Sequence, residues 1–249
     1  GKALNVPIYE LLGGRVRDKV VCYPHNVGHA LDVQALVDSC LQTKEEGWKF
    51  VRWGLPQDGD ILEPRQSVLA SIKQFHAVRE AVGDEIELTF DVHTRLDLPD
   101  VVWLCREIES TRPFFIEDPL RCENPDSFKT LRPRVHVPIA AGEQFNSKWE
   151  FRELIEEEWI DYARVDLCIA GGITEAKKIM GWCETHYIKM VVHNPLGPIS
   201  SAASRLVLKA VASMSCPLVA RAEFTSTATR ASVWSMTMAP PEGRLTVRE

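Results

Sequence analysis

Three acidic residues recur at equal steps along this chain. Asp91, Glu117 and Glu143 stand 26 residues apart, and each closes an apolar run: Leu-Thr-Phe-Asp, Phe-Ile-Glu and Ala-Ala-Gly-Glu. That interval is about one strand–helix unit, so the three carboxylates are expected on three successive strands. Brought together without a cation they would repel and raise one another's pKa. A hard divalent ion removes the problem, and an all-oxygen donor set suits Mg²⁺, whereas zinc calls for His or Cys. The alternative for each residue is a helix cap or an arginine pair.

Other ionisable residues end similar runs. His193 closes Lys-Met-Val-Val-His, and Asp166 closes Tyr-Ala-Arg-Val-Asp 27 residues earlier. On adjacent strands, Asp166 can accept a hydrogen bond from one ring nitrogen of His193, which fixes the tautomer and raises its basicity. That prepares a general base. His93 lies two residues past Asp91 and is expected to reach the same site. His25 and His29 follow the first strand candidate and are weaker candidates for the pocket lining. Arg52 and Glu223 close two further runs.

These residues need a scaffold that gathers strand ends. Short β-rich runs at 19–23, 50–53, 87–91, 114–117, 138–142, 162–166, 189–193 and 218–223 alternate with helical patterns. Val101, Leu104, Cys105 and Ile108 follow i, i+3, i+4, i+7 and define one apolar stripe. Ile173, Ala176 and Met180 define another after Gly171-Gly172, and Ser147-Lys148-Trp149-Glu150 fits a capping box. Strand followed by helix, repeated, implies parallel strands with helical crossovers. Eight candidates favour a closed barrel, whose C-terminal strand ends converge on one face. An open doubly wound sheet is the alternative, but its G-x-G-x-x-G fingerprint is absent.

Bulk composition narrows the partners. The 249 residues are 45% hydrophobic and 26% charged, with a net charge of −6 and no clustered basic patch. Nucleic acid is therefore not an expected partner. No apolar stretch approaches the length of a membrane span. The seven cysteines are odd in number, dispersed and free of Cys-x-x-Cys, a pattern that predicts buried free thiols and a cytoplasmic protein.

Taken together these motifs resemble the enolase superfamily, in its mandelate racemase/muconate lactonizing enzyme-like subgroup, and most of all the acid-sugar dehydratases of galactonate-dehydratase type. The matching stretches are Asp91-Val92-His93, Ile116-Glu117-Asp118-Pro119, Gly142-Glu143-Gln144, Asp166 with Gly171-Gly172-Ile173-Thr174, and His193-Asn194-Pro195-Leu196-Gly197-Pro198. The resemblance implies a TIM-like (β/α)7β barrel over residues 15–224. Residues 1–14 resemble the final helix and linker of an α+β capping domain, and residues 225–249 resemble a segment returning toward that cap.

It further implies that Asp91, Glu117 and Glu143 bind Mg²⁺ and that His193, oriented by Asp166, removes the proton α to a sugar-acid carboxylate. His93 would protonate the departing β-hydroxyl, and Glu223 would hydrogen-bond a carboxylate oxygen. The product is a 2-keto-3-deoxy acid. The family's second strand often carries Lys-x-Lys, but here the run is Arg52-Trp53-Gly54. A Lys/His racemase is thereby disfavoured, and Arg52 is expected either to neutralise the substrate carboxylate or to pair with a neighbouring acid. Two alternatives stay open: an epimerase or racemase using His93 and His193, and a metal-binding barrel without activity. The expected partner is a small sugar acid, with homo-oligomerisation undecided.

Overall fold

The computed structural model describes residues 1–24, 32–57, 62–194 and 197–210. Six strands form one sheet: β1 (Phe50–Gly54), β2 (Glu87–Asp91), β3 (Phe115–Glu117), β4 (Ile139–Ala141), β5 (Tyr162–Ala163) and β6 (Lys189–Met190). They pair in sequence order, and every pairing is parallel. Helices α1 (Ile8–Leu11), α2 (Val33–Glu45), α3 (Pro64–Val82), α4 (Leu98–Ile108), α5 (Ser127–Leu131), α6 (Arg152–Glu156), α7 (Gly172–Thr185) and α8 (Pro198–Ala210) complete the order. This is the wall of a TIM-like α/β barrel, with the crossovers that parallel pairing requires.

Side-chain alternation along the strands divides the molecule into layers. Outward-facing Val51, Trp53, Leu88, Phe90, Ile116, Ile139, Ala141, Ala163 and Val165 join the helices in the main core. Trp53, Phe75 of α3 and Phe90 pack there with ring centroids 4.7–5.6 Å apart. The inward faces carry two storeys. The lower is aromatic: Phe115 and Tyr162 cluster with Tyr23, Phe114 and Ala140, and Phe50 lies against Tyr23. Two residues further along the same strands come Arg52, Glu117 and Arg164, and then Asp166, so the upper storey is charged.

The helices follow their sequence signals. Helix α4 buries Val101, Leu104, Cys105 and Ile108, the stripe read from spacing. In α2 the Asp32 carboxylate accepts from the backbone N–H groups of Gln34 and Ala35 at 2.9 and 3.3 Å, satisfying two otherwise unpaired donors. Helix α3 begins with Pro64 in its first turn and stops at Gly83, whose φ of +77° few other residues adopt. Lys209 at the end of α8 lies over the Tyr9 ring, and its carbonyl accepts from Val16 N–H at 2.9 Å. Among the described residues no helix is long and apolar enough to cross a membrane.

Three expectations change. Residues 19–23 form no strand; Tyr23 reaches the aromatic layer from this segment without ladder hydrogen bonds. In a closed barrel the neighbours of the first strand are the second and the last, and the candidate at 218–223 lies outside the described residues. The Ser147–Glu150 box forms by half: Glu150 accepts from the N–H groups of Asn146 and Ser147, but the helix starts only at Arg152. The capping glutamate closes a turn that precedes α6. Finally, among the six described cysteines, all free, Cys40, Cys105 and Cys183 are buried while Cys168 is exposed. Cys168 falls in the loop after β5, where no apolar layer covers it.

Candidate active site

The register explains the gathering of charge. Asp91 pairs with Glu117 across β2 and β3, and Gly142-Glu143 follows β4 directly. Beyond β5 and β6 the ladder resumes as a parallel bridge between Asp166 and His193, with His193 N–H donating to Val165 C=O at 3.2 Å. Gly142 has φ +122°, and a Cβ there would lie 2.3 Å from the Phe151 ring. The chain can turn Glu143 into the interior at this point because the residue before it is glycine.

Two arginines stitch the acids together. Arg52 donates through Nε to both Glu117 oxygens at 3.1 and 3.2 Å. Its Nη2 bridges Asp91 Oδ2 and Glu117 Oε2, both at 2.8 Å. Arg164 is 1% exposed. Its Nη2 lies 2.9 Å from Glu143 and 3.3 Å from Glu117, its Nε lies 3.4 Å from Asp118, and its Nη1 donates to the Tyr23 hydroxyl. Buried charges persist when paired and hydrogen-bonded in this way.

The sharing is unequal, and the pKa directions follow it. Burial pushes Glu117 and Glu143 upward, but Arg164, joined by Arg52 at Glu117 and by His193 at Glu143, holds both below the ordinary value. Asp91 receives one guanidinium contact; burial and the neighbouring Glu117 leave it raised. Asp118 is pushed up to about 8, by burial first, against the pull of Arg164. Its Oδ1 accepts from Gly142 N–H at 2.8 Å. Burial is the largest influence on both arginines and opposes their charge, but Glu117 together with Asp91 and Tyr23 at Arg52, and with Tyr23, Asp118 and Glu143 at Arg164, reverses it and their pKa values rise.

The imidazoles flank Glu143. His193 Nε2 is 3.4 Å from Glu143 Oε2, and His93 Nε2 is 3.6 Å from Oε1. His193 Nδ1 lies 2.9 Å from Asp166 Oδ2, while Asp166 Oδ1 accepts from the N–H groups of Cys168 and Ile169. These bonds fix the carboxylate, which in turn orients the ring. Burial lowers the His193 pKa, Glu143 and Asp166 oppose, and the net direction is down. A ring that is neutral near pH 7 can accept a proton. His93 arrives differently from expectation: β2 ends at Asp91, and His93 and Thr94 adopt left-handed φ of 55° and 59°. The turn, rather than strand alternation, carries the ring to Glu143, with 48% of its side chain exposed.

The structure thus brings together Asp91, Glu117, Glu143, Asp166, His193, His93 and Arg52. His25, His29 and Glu223 lie outside the described residues. Arg52 stands in the acid-paired arrangement, so a substrate carboxylate would compete with Asp91 and Glu117 for it. Sequence reasoning passed over Arg164 as a site residue and treated Asp118 only as part of a motif. A signal for Arg164 was present: a charge two residues before Asp166 in a buried run shares its inward face.

Together the fold and the site define a parallel α/β barrel that collects carboxylates, guanidiniums and imidazoles at its C-terminal strand ends. The chain belongs to the enolase C-terminal domain-like family, whose model matches residues 35–249, and so to the mandelate racemase/muconate lactonizing enzyme-like part of the enolase superfamily. A protein of Salmonella enterica serovar Typhimurium, named provisionally as a dehydratase, superposes with a TM-score of 0.80 at 26% identity. An enolase from Pantoea ananatis with bound D-gluconate and Mg gives 0.79 at 28%. In both, 86% of this chain matches 59% of the other. An enolase from Agrobacterium radiobacter, named provisionally as a galactarate dehydratase and bound to Na and L-malate, gives 0.76 at 31%, covering 86% and 54%. The chain therefore spans less than two thirds of the length of these structures.

The residues fit a hard cation in donor chemistry. Asp91, Glu117 and Glu143 offer oxygen alone, and Asp91 Oδ1 is buried without a hydrogen-bond partner among the described residues. Among those residues no three His, Cys, Asp or Glu side chains stand as a preformed metal cluster.

Proposed function

We propose that this protein is a Mg²⁺-dependent dehydratase of a sugar acid of the galactonate type. The observation that carries the reading is the Asp166–His193 pair directed at Glu143, with His93 on the other carboxylate oxygen. Mg²⁺ held by Asp91, Glu117 and Glu143 would supply Lewis-acid stabilisation of the negative charge that develops at the substrate carboxylate. His193 Nε2 takes the α-proton while Asp166 stabilises the imidazolium that forms. The C–H electron pair becomes the new C=C bond as the β-carbon–oxygen bond breaks. His93 delivers a proton to the leaving hydroxyl, which departs as water, and the enol tautomerises to a 2-keto-3-deoxy acid. Glu223 and His25 complete the proposal as substrate contacts.

The likeness to an enolase holding D-gluconate and Mg supports the class of ligand. A second reading rests on the same geometry: imidazoles on both sides of Glu143 could serve opposite faces of one α-carbon, as an epimerase requires. A panel of sugar acids incubated with Mg²⁺ in D₂O separates the two. Dehydration yields 2-keto acid; epimerisation exchanges the α-proton without it. Absence of both reactions with every acid would overturn the proposal.

A further inference from the structure

Among the described residues, Arg52 is the one cation that touches both Asp91 and Glu117. It donates four hydrogen bonds to these two acids, at 2.8–3.2 Å, and is 5% exposed. Its guanidinium therefore lies between two of the three oxygen donors that the proposed Mg²⁺ would use. Asp91 divides its oxygens: Oδ2 is bound to Arg52, while Oδ1 is buried and without a hydrogen-bond partner among the described residues. Arg164 differs in position. It spans Glu117, Glu143, Asp118 and Tyr23 from the β5 side of the same storey and forms no hydrogen bond or ion pair with Asp91.

We propose that Arg52 is a resident counter-cation that exchanges places with the divalent ion at Asp91 and Glu117. Without metal, the guanidinium neutralises two buried carboxylates and keeps them in position. A divalent ion, with twice the charge and a smaller radius, takes over their oxygens, and Arg52 swings away as a free cation. The displaced guanidinium is then free to pair with the carboxylate of the proposed substrate, so the exchange couples metal loading to recruitment of an anion. Arg164 stays in place throughout and keeps Glu117 and Glu143 oriented. The inference rests on the metal reading above and adds competition by this one side chain.

Binding of Mn²⁺, used as a paramagnetic probe for Mg²⁺, provides the test, with wild type, Arg52→Met, Arg52→Lys and Asp91→Asn compared by calorimetry. Removing a unit charge at hydrogen-bonding distance from two ligands is expected to tighten Mn²⁺ binding roughly tenfold or more in Arg52→Met. Arg52→Met should also melt lower than wild type in EDTA and gain more from the metal. If Arg52→Met does not stay folded in EDTA, Arg52→Lys carries the comparison. An ammonium bridges two carboxylates less well than a guanidinium, so several-fold tighter binding is expected there too. A direct readout is the Arg52 Nε–H resonance, assigned by its loss in Arg52→Lys. In a ¹⁵N–¹H spectrum diamagnetic Mg²⁺ should move it toward the position of a solvated arginine. Equal or weaker affinity in the Arg52 variants, or an unmoved resonance at saturating Mg²⁺, overturns the exchange. If wild type binds Mn²⁺ and Asp91→Asn does not, that failure leaves the metal site standing. If no variant binds Mn²⁺, the metal reading falls with it.

Discussion

Replacing Arg164 by Met would remove a buried guanidinium and leave its partners in place. Glu143 loses a 2.9 Å contact, Glu117 one at 3.3 Å, Asp118 one at 3.4 Å, and the Tyr23 hydroxyl loses its donor. The loss has a natural ceiling, because a carboxylate stranded in low dielectric can take up a proton. Lifting one carboxyl from about 4.3 to 7 costs about 3.7 kcal/mol, at about 1.36 kcal/mol per unit. Glu117 keeps Arg52, so Glu143 is the residue that protonates. Adding the Tyr23 bond and subtracting the gain from burying a Met gives a net loss of about 3–5 kcal/mol at pH 7, in the range seen when one partner of a buried pair is removed. For a chain of this size that is roughly 6–20 °C in Tm.

The sign of the pH dependence is fixed. In wild type, Glu117 and Glu143 are held below their ordinary pKa, so their stabilisation is present above the unfolded pKa and is lost as pH falls through the folded one. In Arg164→Met the Glu143 pKa rises above the unfolded value, so that variant loses stability as pH climbs past about 4.3. Between pH 7 and 5 the variant's effect alone narrows the gap; the wild-type loss adds to it only below about 4.3. Urea unfolding in EDTA at the two pH values reads it. A loss under 1 kcal/mol at pH 7, or a gap that does not narrow, would refute the reasoning.

Four other outcomes are expected. Asp166→Asn keeps the fold, but with its oxygen held by the N–H groups of Cys168 and Ile169 it turns an amide donor toward His193 Nδ1, so turnover of whichever acid the panel identifies should fall roughly 10–100-fold with unchanged circular dichroism. Phe75→Ala opens a cavity between Trp53 and Phe90 and should cost about 3–5 kcal/mol in urea unfolding. Gly142→Ala sets a methyl against Phe151 at φ +122°; about 2–4 kcal/mol is expected, from overpacking and backbone strain together. Burial pushes the Cys40, Cys105 and Cys183 thiols up to about 12. Iodoacetamide at pH 8 should therefore label exposed Cys168 and leave these three unmodified until denaturant is added, as peptide mass mapping would show.

The sequence made the strand ends legible because apolar runs and their terminal charges are local. Asp91, Glu117 and Glu143 stand out by closing apolar runs at equal spacing, and the run read as the third strand candidate matches β2 at both ends. The Asp166–His193 bond followed from adjacency of two strands. What stayed hidden depends on how side chains share one another. Which of two arginines serves which acid is set by stagger between strands, which spacing does not encode. The route of His93 depends on two left-handed residues after β2, neither of them glycine. Tyr23 was read as a strand end, but its contribution is a ring and a hydroxyl inserted from an irregular segment.

Sharing of this kind has an evolutionary consequence. Glu117 answers to Arg52 and Arg164 together, and Arg164 answers to three acids and a tyrosine. Substitutions at these positions will be epistatic: each alters the background in which the next is judged, and their costs will not add. A lineage changing one charge here is expected to pass through paired replacements, such as a carboxylate to its amide together with loss of a guanidinium. The floor beneath is packed from rings without formal charge, so changing one strands no buried ion and its residues can drift more nearly one at a time. Replacement by stepwise drift below and by coupled exchange above would leave the two storeys with different histories within the same strands.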